Sequence, residues 1–183
     1  MSSLQGQFII AAPRLVDPNF AKSVVLLVRH GEDGALGLIV NRPLTATLDS
    51  IWGQVSEEPC LVDNVLYQGG PCDGPLMVLH TDPSLSQFEV GDGVHFTADK
   101  EAIEQLVASQ STAVKFFVGY AGWAVGQLEA ELAEGSWLTT PATKGHMLYI
   151  AERSWDILLG RARRAAVFPW LNPKHIPDDP SVN

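Results

Sequence analysis

The chain has 183 residues, 46% hydrophobic and 18% charged, and a formal net charge of −9. That length fits one domain able to fold without a disulfide or a structural metal, and the composition excludes a disordered chain. The negative balance argues against partners bound through their phosphates, so neither nucleic acid nor anionic lipid is an expected partner.

Residues 8–12 form a short apolar run stopped by Pro13 and predict a buried strand. Asp17-Pro18-Asn19 is a turn signal. Residues 23–30, centred on Val-Val-Leu-Leu-Val, predict a strand. The tight turn Gly31-Glu32-Asp33-Gly34 leads into a second strand, 36–41, which Pro43 ends, making a hairpin. Leu44, Leu48, Ile51 and Trp52 lie near helical spacing and predict a short helix over 45–53, followed by a loop over 57–63. Strands are expected at 65–68, running into Gly69-Gly70-Pro71, and at 76–80. Segments 88–90 and 94–97 flank Gly91-Asp92-Gly93 as another hairpin.

Asp99 is placed to cap a helix reaching 109, with Ile103, Leu106 and Val107 on its apolar face. A strand over 114–120 enters the Gly-rich turn 121–126. A helix over 127–134 leaves it, with Val125, Leu128 and Leu132 inward and Gln127, Glu131 and Glu134 outward. A strand over 137–140 and a helix over 154–164, with Trp155, Leu158 and Leu159 inward, complete the pattern. The segment from Pro169, with Pro173, Pro177 and Pro180, reads as a loosely held arm. Strands outnumber helices and fall in hairpin-like pairs, which predicts an α+β fold rather than a doubly wound sheet.

No apolar run approaches the roughly 20 residues of a membrane helix. The opening Met-Ser-Ser-Leu-Gln-Gly-Gln lacks the basic and apolar regions of a signal peptide. Cys60 and Cys72 stand outside any Cys-x-x-Cys pair and are expected as free thiols, which places the chain in the cytoplasm.

Several chemistries leave no trace. There is no triphosphate loop, no His-Glu-x-x-His and no Gly-x-Ser-x-Gly. The five histidines, His30, His80, His95, His146 and His175, are scattered, so neither a metal nor a cofactor is expected. His80 and Asp82 could orient one another, but His80 reads as a partly exposed, satisfied histidine ending a strand. Arg161-Ala162-Arg163-Arg164 reads as three cations set against the negative end of a helix dipole.

Three strand-end segments combine glycine with polar or aromatic groups: Asn41-Arg42, Gly69-Gly70 and the stretch from Tyr120 through Gly122 and Trp123 to Gln127 and Glu129. Arg42 has the chemistry to grip a carboxylate or phosphate, or to pair with Glu129 or Glu131. The Gly-rich turn can aim backbone N–H groups outward, or let strand and helix pack closely around Trp123.

These segments, with Gly6-Gln7-Phe8, Ala12-Pro13, Asp17-Pro18-Asn19-Phe20, Ser23-Val24-Val25, His30, the run 34–43, Leu79-His80 and Gly126-Gln127-Leu128-Glu129-Ala130-Glu131, make the chain resemble the AlgH/YqgE family over residues 4–160. The resemblance implies antiparallel strands curled into a pseudo-barrel with helices packed outside, and a domain over 1–160 followed by a basic, Pro-rich tail over 161–183. Cys72 stands where the family usually has Val. Some family members carry the label of transcriptional regulator, but the resemblance implies no activity, and no DNA-reading helix-turn-helix is visible here.

The function expected from these observations is non-enzymatic: binding of a small anionic or peptide-like ligand, or of a protein partner, around Asn41, Arg42, Gly69, Gly70, Tyr120, Gly122, Trp123, Gln127 and Glu129. The alternatives are a hydrolase using Glu129 or His80 as general base, and a DNA-binding regulator acting through 161–164.

Overall fold

The computed structural model describes residues 3–111, 113–150 and 152–167; the arm expected beyond Pro169 lies outside them. The first elements are β1 (Gln7–Ala11), β2 (Val24–Gly31), β3 (Gly34–Ile39), β4 (Pro43–Thr47), α1 (Leu48–Val55), β5 (Val65–Gln68) and β6 (Met77–His80). After a 3-10 turn, Pro83–Leu85, come β7 (Phe88–Gly91), β8 (Val94–Thr97), α2 (Lys100–Ala108) and β9 (Val114–Val118). The chain continues with β10 (Ala121–Trp123), α3 (Gln127–Ala133), β11 (Trp137–Pro141), α4 (Lys144–Tyr149) and α5 (Ser154–Val167).

The fold is mixed α+β, built on two sheets. The first runs β10-β3-β2-β1-β11 and the second β4-β5-β9-β6-β8-β7. Neither sheet closes into a barrel. The β5–β9 pair is parallel, and the other described pairs are antiparallel.

Both sheets are covered on both faces, which explains the unbroken apolar runs. Phe8, Ile10, Leu26 and Leu38 meet Met77, Leu79 and Phe117 in the central core, with Trp155 and Leu158 of α5. Alternate residues of the first sheet, Ile9, Val25, Leu27 and Ile39, pack outward under α3 with Trp123 and Trp137. The outer face of the second sheet, Leu66, Val78 and Phe116, lies under Trp52 of α1 and Ile103 and Leu106 of α2.

Several short elements differ from the sequence expectation. Residues expected to begin a helix at 45 instead form β4, an edge strand whose first residue is Pro43, where a missing N–H costs nothing. The helix α1 starts only at Leu48. Segment 121–123 is strand β10 rather than turn, and α4 was not expected at all. Val125, expected inward, is 72% exposed because it precedes the left-handed Gly126 that starts α3. The Arg161–Arg164 cluster lies within α5, which continues to Val167. Cys60 and Cys72 are both free thiols.

One buried charge stands out. Lys115, 2% exposed on β9, donates from Nζ to the Val40 carbonyl at 2.7 Å and lies 3.9 Å over the Tyr67 ring. Burial pulls its pKa from 10.5 down to about 7. The unfolded chain therefore binds a proton that the folded chain has released between those values, and stability rises with pH across that window. Urea denaturation from pH 6 to pH 10 should show this rise in the wild type. Lys115→Met should abolish that part of the slope and raise stability at pH 6; parallel curves for the two proteins would refute the assignment.

Candidate functional site

The Asn41-Arg42, Gly69-Gly70 and Gly119–Ala121 segments meet where the chain passes between the sheets. Val40–Arg42 carries the backbone from β3 to β4, and Gly119-Tyr120 carries it from β9 to β10. Gln68 N donates to the Arg42 carbonyl (2.9 Å), Ile39 N to the Gly69 carbonyl (2.7 Å) and Gly69 N to the Val118 carbonyl (2.8 Å). Cys72 and Tyr120 exchange two backbone hydrogen bonds, at 2.9 and 3.0 Å. A Cβ on Gly69 would lie 2.2 Å from the Gly119 carbonyl oxygen, and one on Gly70 2.2 Å from the Tyr120 carbonyl carbon. Gly119, at φ +72°, makes the turn.

The polar side chains at this crossing are engaged internally. Asn41, 4% exposed, accepts from Val24 N at 2.8 Å and donates to the Lys22 carbonyl at 3.0 Å, fixing the start of β2. Arg42 does not reach Glu129 or Glu131. Its guanidinium donates to the carbonyls of Asn19 (2.6 Å), Ala21 (3.0 Å) and Pro18 (3.4 Å), closing the loop before β2. The half-buried Tyr120 ring packs against the central core.

The remaining predicted residues cluster around α3. Trp123, 5% exposed, and Trp137, 3% exposed, both donate from Nε1 to Oε2 of Glu131, at 3.0 and 2.8 Å. The rings meet edge-on at 6.0 Å and both touch Phe20. Glu131, expected to face solvent, is thus the acceptor that satisfies two buried indoles. Gln127 accepts from Ala124 N and donates to Glu131, securing the first turn of α3. Gly122 is exposed on β10, opposite Leu36.

Glu129 joins His30, which the sequence counts among the scattered histidines and among the residues of the family resemblance, with no role assigned. His30 Nδ1 accepts the Leu4 N–H at 3.0 Å, so Nε2 carries the proton and donates to Glu129 Oε1 at 2.8 Å. The His30 side chain is 5% exposed. Its own backbone N–H and then the His30 hydrogen bond hold the Glu129 carboxyl below the usual carboxylate range.

His30 and Gly31 line two neighbouring cavities. One, about 470 Å³, is bordered by Gln5, Arg29, Asp33, Gly34, Ala35 and Leu36. The other, about 340 Å³, is bordered by Ser3, Glu32, Val125, Gly126 and Glu129. Arg29 lies with its guanidinium 5.4 Å over the Phe88 ring and forms no ion pair with a described residue. The available signal for this cleft was a hairpin tip flanked by Arg29 and His30; the partner Glu129 lies 99 residues away.

His80, expected partly exposed and satisfied, is instead fully buried with no hydrogen-bond partner at Nε2 among the described residues, because β6 is covered on both faces, and it lies apart from this cleft. Its Nδ1 accepts from Asp82 N at 3.3 Å, and burial, then His95, hold its pKa below the ordinary histidine value. No cluster of three or more potential metal ligands occurs among the described residues.

Glu131→Ala should leave two buried indole N–H groups without an acceptor. At roughly 1–3 kcal/mol for each orphaned donor, a loss of about 2–6 kcal/mol is expected in urea denaturation. Glu131→Gln keeps an acceptor oxygen and should lose less than half of that. Equal losses in the two variants would show that the indoles do not depend on this oxygen.

The AlgH-like family profile matches residues 8–164. A UPF0301 protein of Streptomyces avermitilis is 36% identical, with 100% of this chain and 97% of that protein covered. One from Xanthomonas oryzae is 38% identical over 86% of this chain and 88% of its own length. The solution structure of the AlgH protein from Pseudomonas aeruginosa superposes with a TM-score of 0.73 at 31% identity, covering 93% of this chain and 96% of that one. A crystal structure of a Corynebacterium diphtheriae protein shares the fold, with a TM-score of 0.68 at 24% identity over 88% and 87% of the two chains. The chain therefore belongs to the AlgH-like family.

Proposed function

We propose that this protein is a non-enzymatic binding protein. It takes a small ligand bearing a carboxylate or phosphate, with peptide-like hydrogen-bonding groups, in the cleft around His30, Glu129 and Arg29. The observation that carries this reading is His30, pinned on both ring nitrogens at the shared wall of two cavities. A rigid buried polar group beside a guanidinium that forms no ion pair with a described residue is the arrangement that orients a ligand, and Arg29 is the one Arg or Lys among lining residues that also include Glu32, Asp33 and Glu129. Asn41, Arg42, Gly69, Gly70 and Trp123 then support the cleft from behind rather than touching the ligand.

The same geometry weighs against the hydrolytic alternative. A general base needs a free lone pair near a nucleophile. His30 spends its lone pair on Leu4, Glu129 is weakened as a base by its own backbone N–H and by His30, and the Ser3 hydroxyl donates to the His30 carbonyl. His80 is closed off from solvent. The net charge of −9 weighs against direct DNA binding, so a regulatory role would run through a partner. The free thiols Cys60 and Cys72 support work in a reducing compartment such as the cytoplasm.

Thermal-shift screening against carboxylate and phosphate metabolites, followed by titration calorimetry, should find a ligand whose stabilisation follows its concentration. Arg29→Ala should weaken that ligand at least tenfold while leaving the unliganded melting temperature unchanged. A ligand indifferent to Arg29→Ala, or turnover of the ligand, would overturn the reading.

A further inference from the structure

The strand β11 ends the first sheet, and its outer edge has no partner among the described residues. The ladder shows which groups that edge offers. Ala12 N donates to the Ser136 carbonyl, and the register sets Ile10 opposite Leu138 and Phe8 opposite Thr140, so Leu138 and Thr140 turn their N–H and C=O groups toward β1, while the Ser136 N–H goes to the Glu131 carbonyl. Trp137 and Thr139 therefore turn theirs outward, joined by the Pro141 carbonyl. Natural proteins usually cover or charge such an edge. Here it opens into a cavity of about 430 Å³ lined by Trp137, Leu138 and Thr139, with Leu132 of α3 on one side and Ala162, Ala165 and Ala166 of α5 on the other. At the Trp137 end a second cavity, sharing Leu138, is lined by Arg14 and Arg163 together with Glu134. Neither arginine forms an ion pair with a described residue.

We propose that this edge is a docking slot for an extended segment of a partner protein, which adds as a strand to β11 and places an acidic side chain between Arg14 and Arg163. Leu132 of α3 and the alanines of α5 flank the edge, so a guest strand would lie between the two helices. The alanines of α5 keep the slot open for alternate side chains of the guest. Two cations at one end, on a chain of net charge −9, select a guest with Asp or Glu there. Pro141 lacks an N–H and ends the ladder at the far end. This surface is separate from the cleft at His30.

A random heptapeptide phage library selected on the full chain provides the probe. Enriched sequences should alternate β-branched residues and carry Asp or Glu near one end. Anisotropy of a labelled selected peptide should show at least a tenfold weaker affinity for the Arg14→Glu, Arg163→Glu double variant. N-methylation of alternate peptide amides should abolish binding in one phase of the alternation and spare it in the other. Amide NMR shifts should centre on Trp137 and Thr139. Thr139→Pro removes one outward N–H and should reduce binding as well; if that variant fails to fold, the methylated peptides still decide. Absence of enrichment over an unrelated acidic protein, or binding indifferent to both charge reversal and N-methylation phase, would overturn the proposal.

Discussion

Three stretches of backbone come together at Gly69, Gly70 and Gly119, closer than any side chain allows. The two sheets are stitched there: β3 hands over to β4, β9 hands over to β10, and the end of β5 bonds to both neighbours. A β-carbon at Gly69 or Gly70 would sit 2.2 Å from main-chain atoms, which cannot move aside as a flexible side chain can. Sheet spacing, and so the fit of Phe8, Leu26 and Phe117 in the central core, follows from this contact.

Two carboxylates extend that constraint to the surface. The handover at Gly119 delivers Trp123 to the outer face of the first sheet, where Glu131 ties it to Trp137 and anchors α3. Once α3 is anchored, Glu129 one half-turn earlier meets His30 at the end of β2. The cleft thus depends on the crossing through a short chain of contacts: glycine to tryptophan, tryptophan to Glu131, helix to His30. Lys115 shows the cost of the arrangement, since its ammonium is buried against one carbonyl and one ring.

Much of the fold is legible in the sequence because local chemistry agrees with the final structure. The run 24–28 is apolar throughout because both faces of β2 are covered, and the Asp99 cap accepts from Ala102 N as its position predicts. Strands β4 and β10 and helix α4 were not legible. They are short, and pairing or packing against distant neighbours forms them, as Pro43 opposite Tyr67 and Trp123 opposite Ala35 illustrate. At the candidate site, glycine and aromatic residues marked the crossing but not its meaning. Asn41 and Arg42 look like binding groups until their carbonyl partners at 18–22 are known. His30 looks isolated until Glu129 is placed beside it. Lys115 gave one faint signal, a lone cation inside the apolar run 114–118.

The dependence of the structure on the crossing is tested most directly by comparing Gly70→Ala with Gly53→Ala in urea denaturation. Gly53 lies in α1 with nothing within 4 Å of an added Cβ, so alanine there should be neutral or stabilise by about 0.5–1 kcal/mol. Gly70→Ala should lose about 3 kcal/mol or more, because main chain rather than side chain must shift. A Gly70→Ala protein within about 0.5 kcal/mol of the wild type would contradict the account.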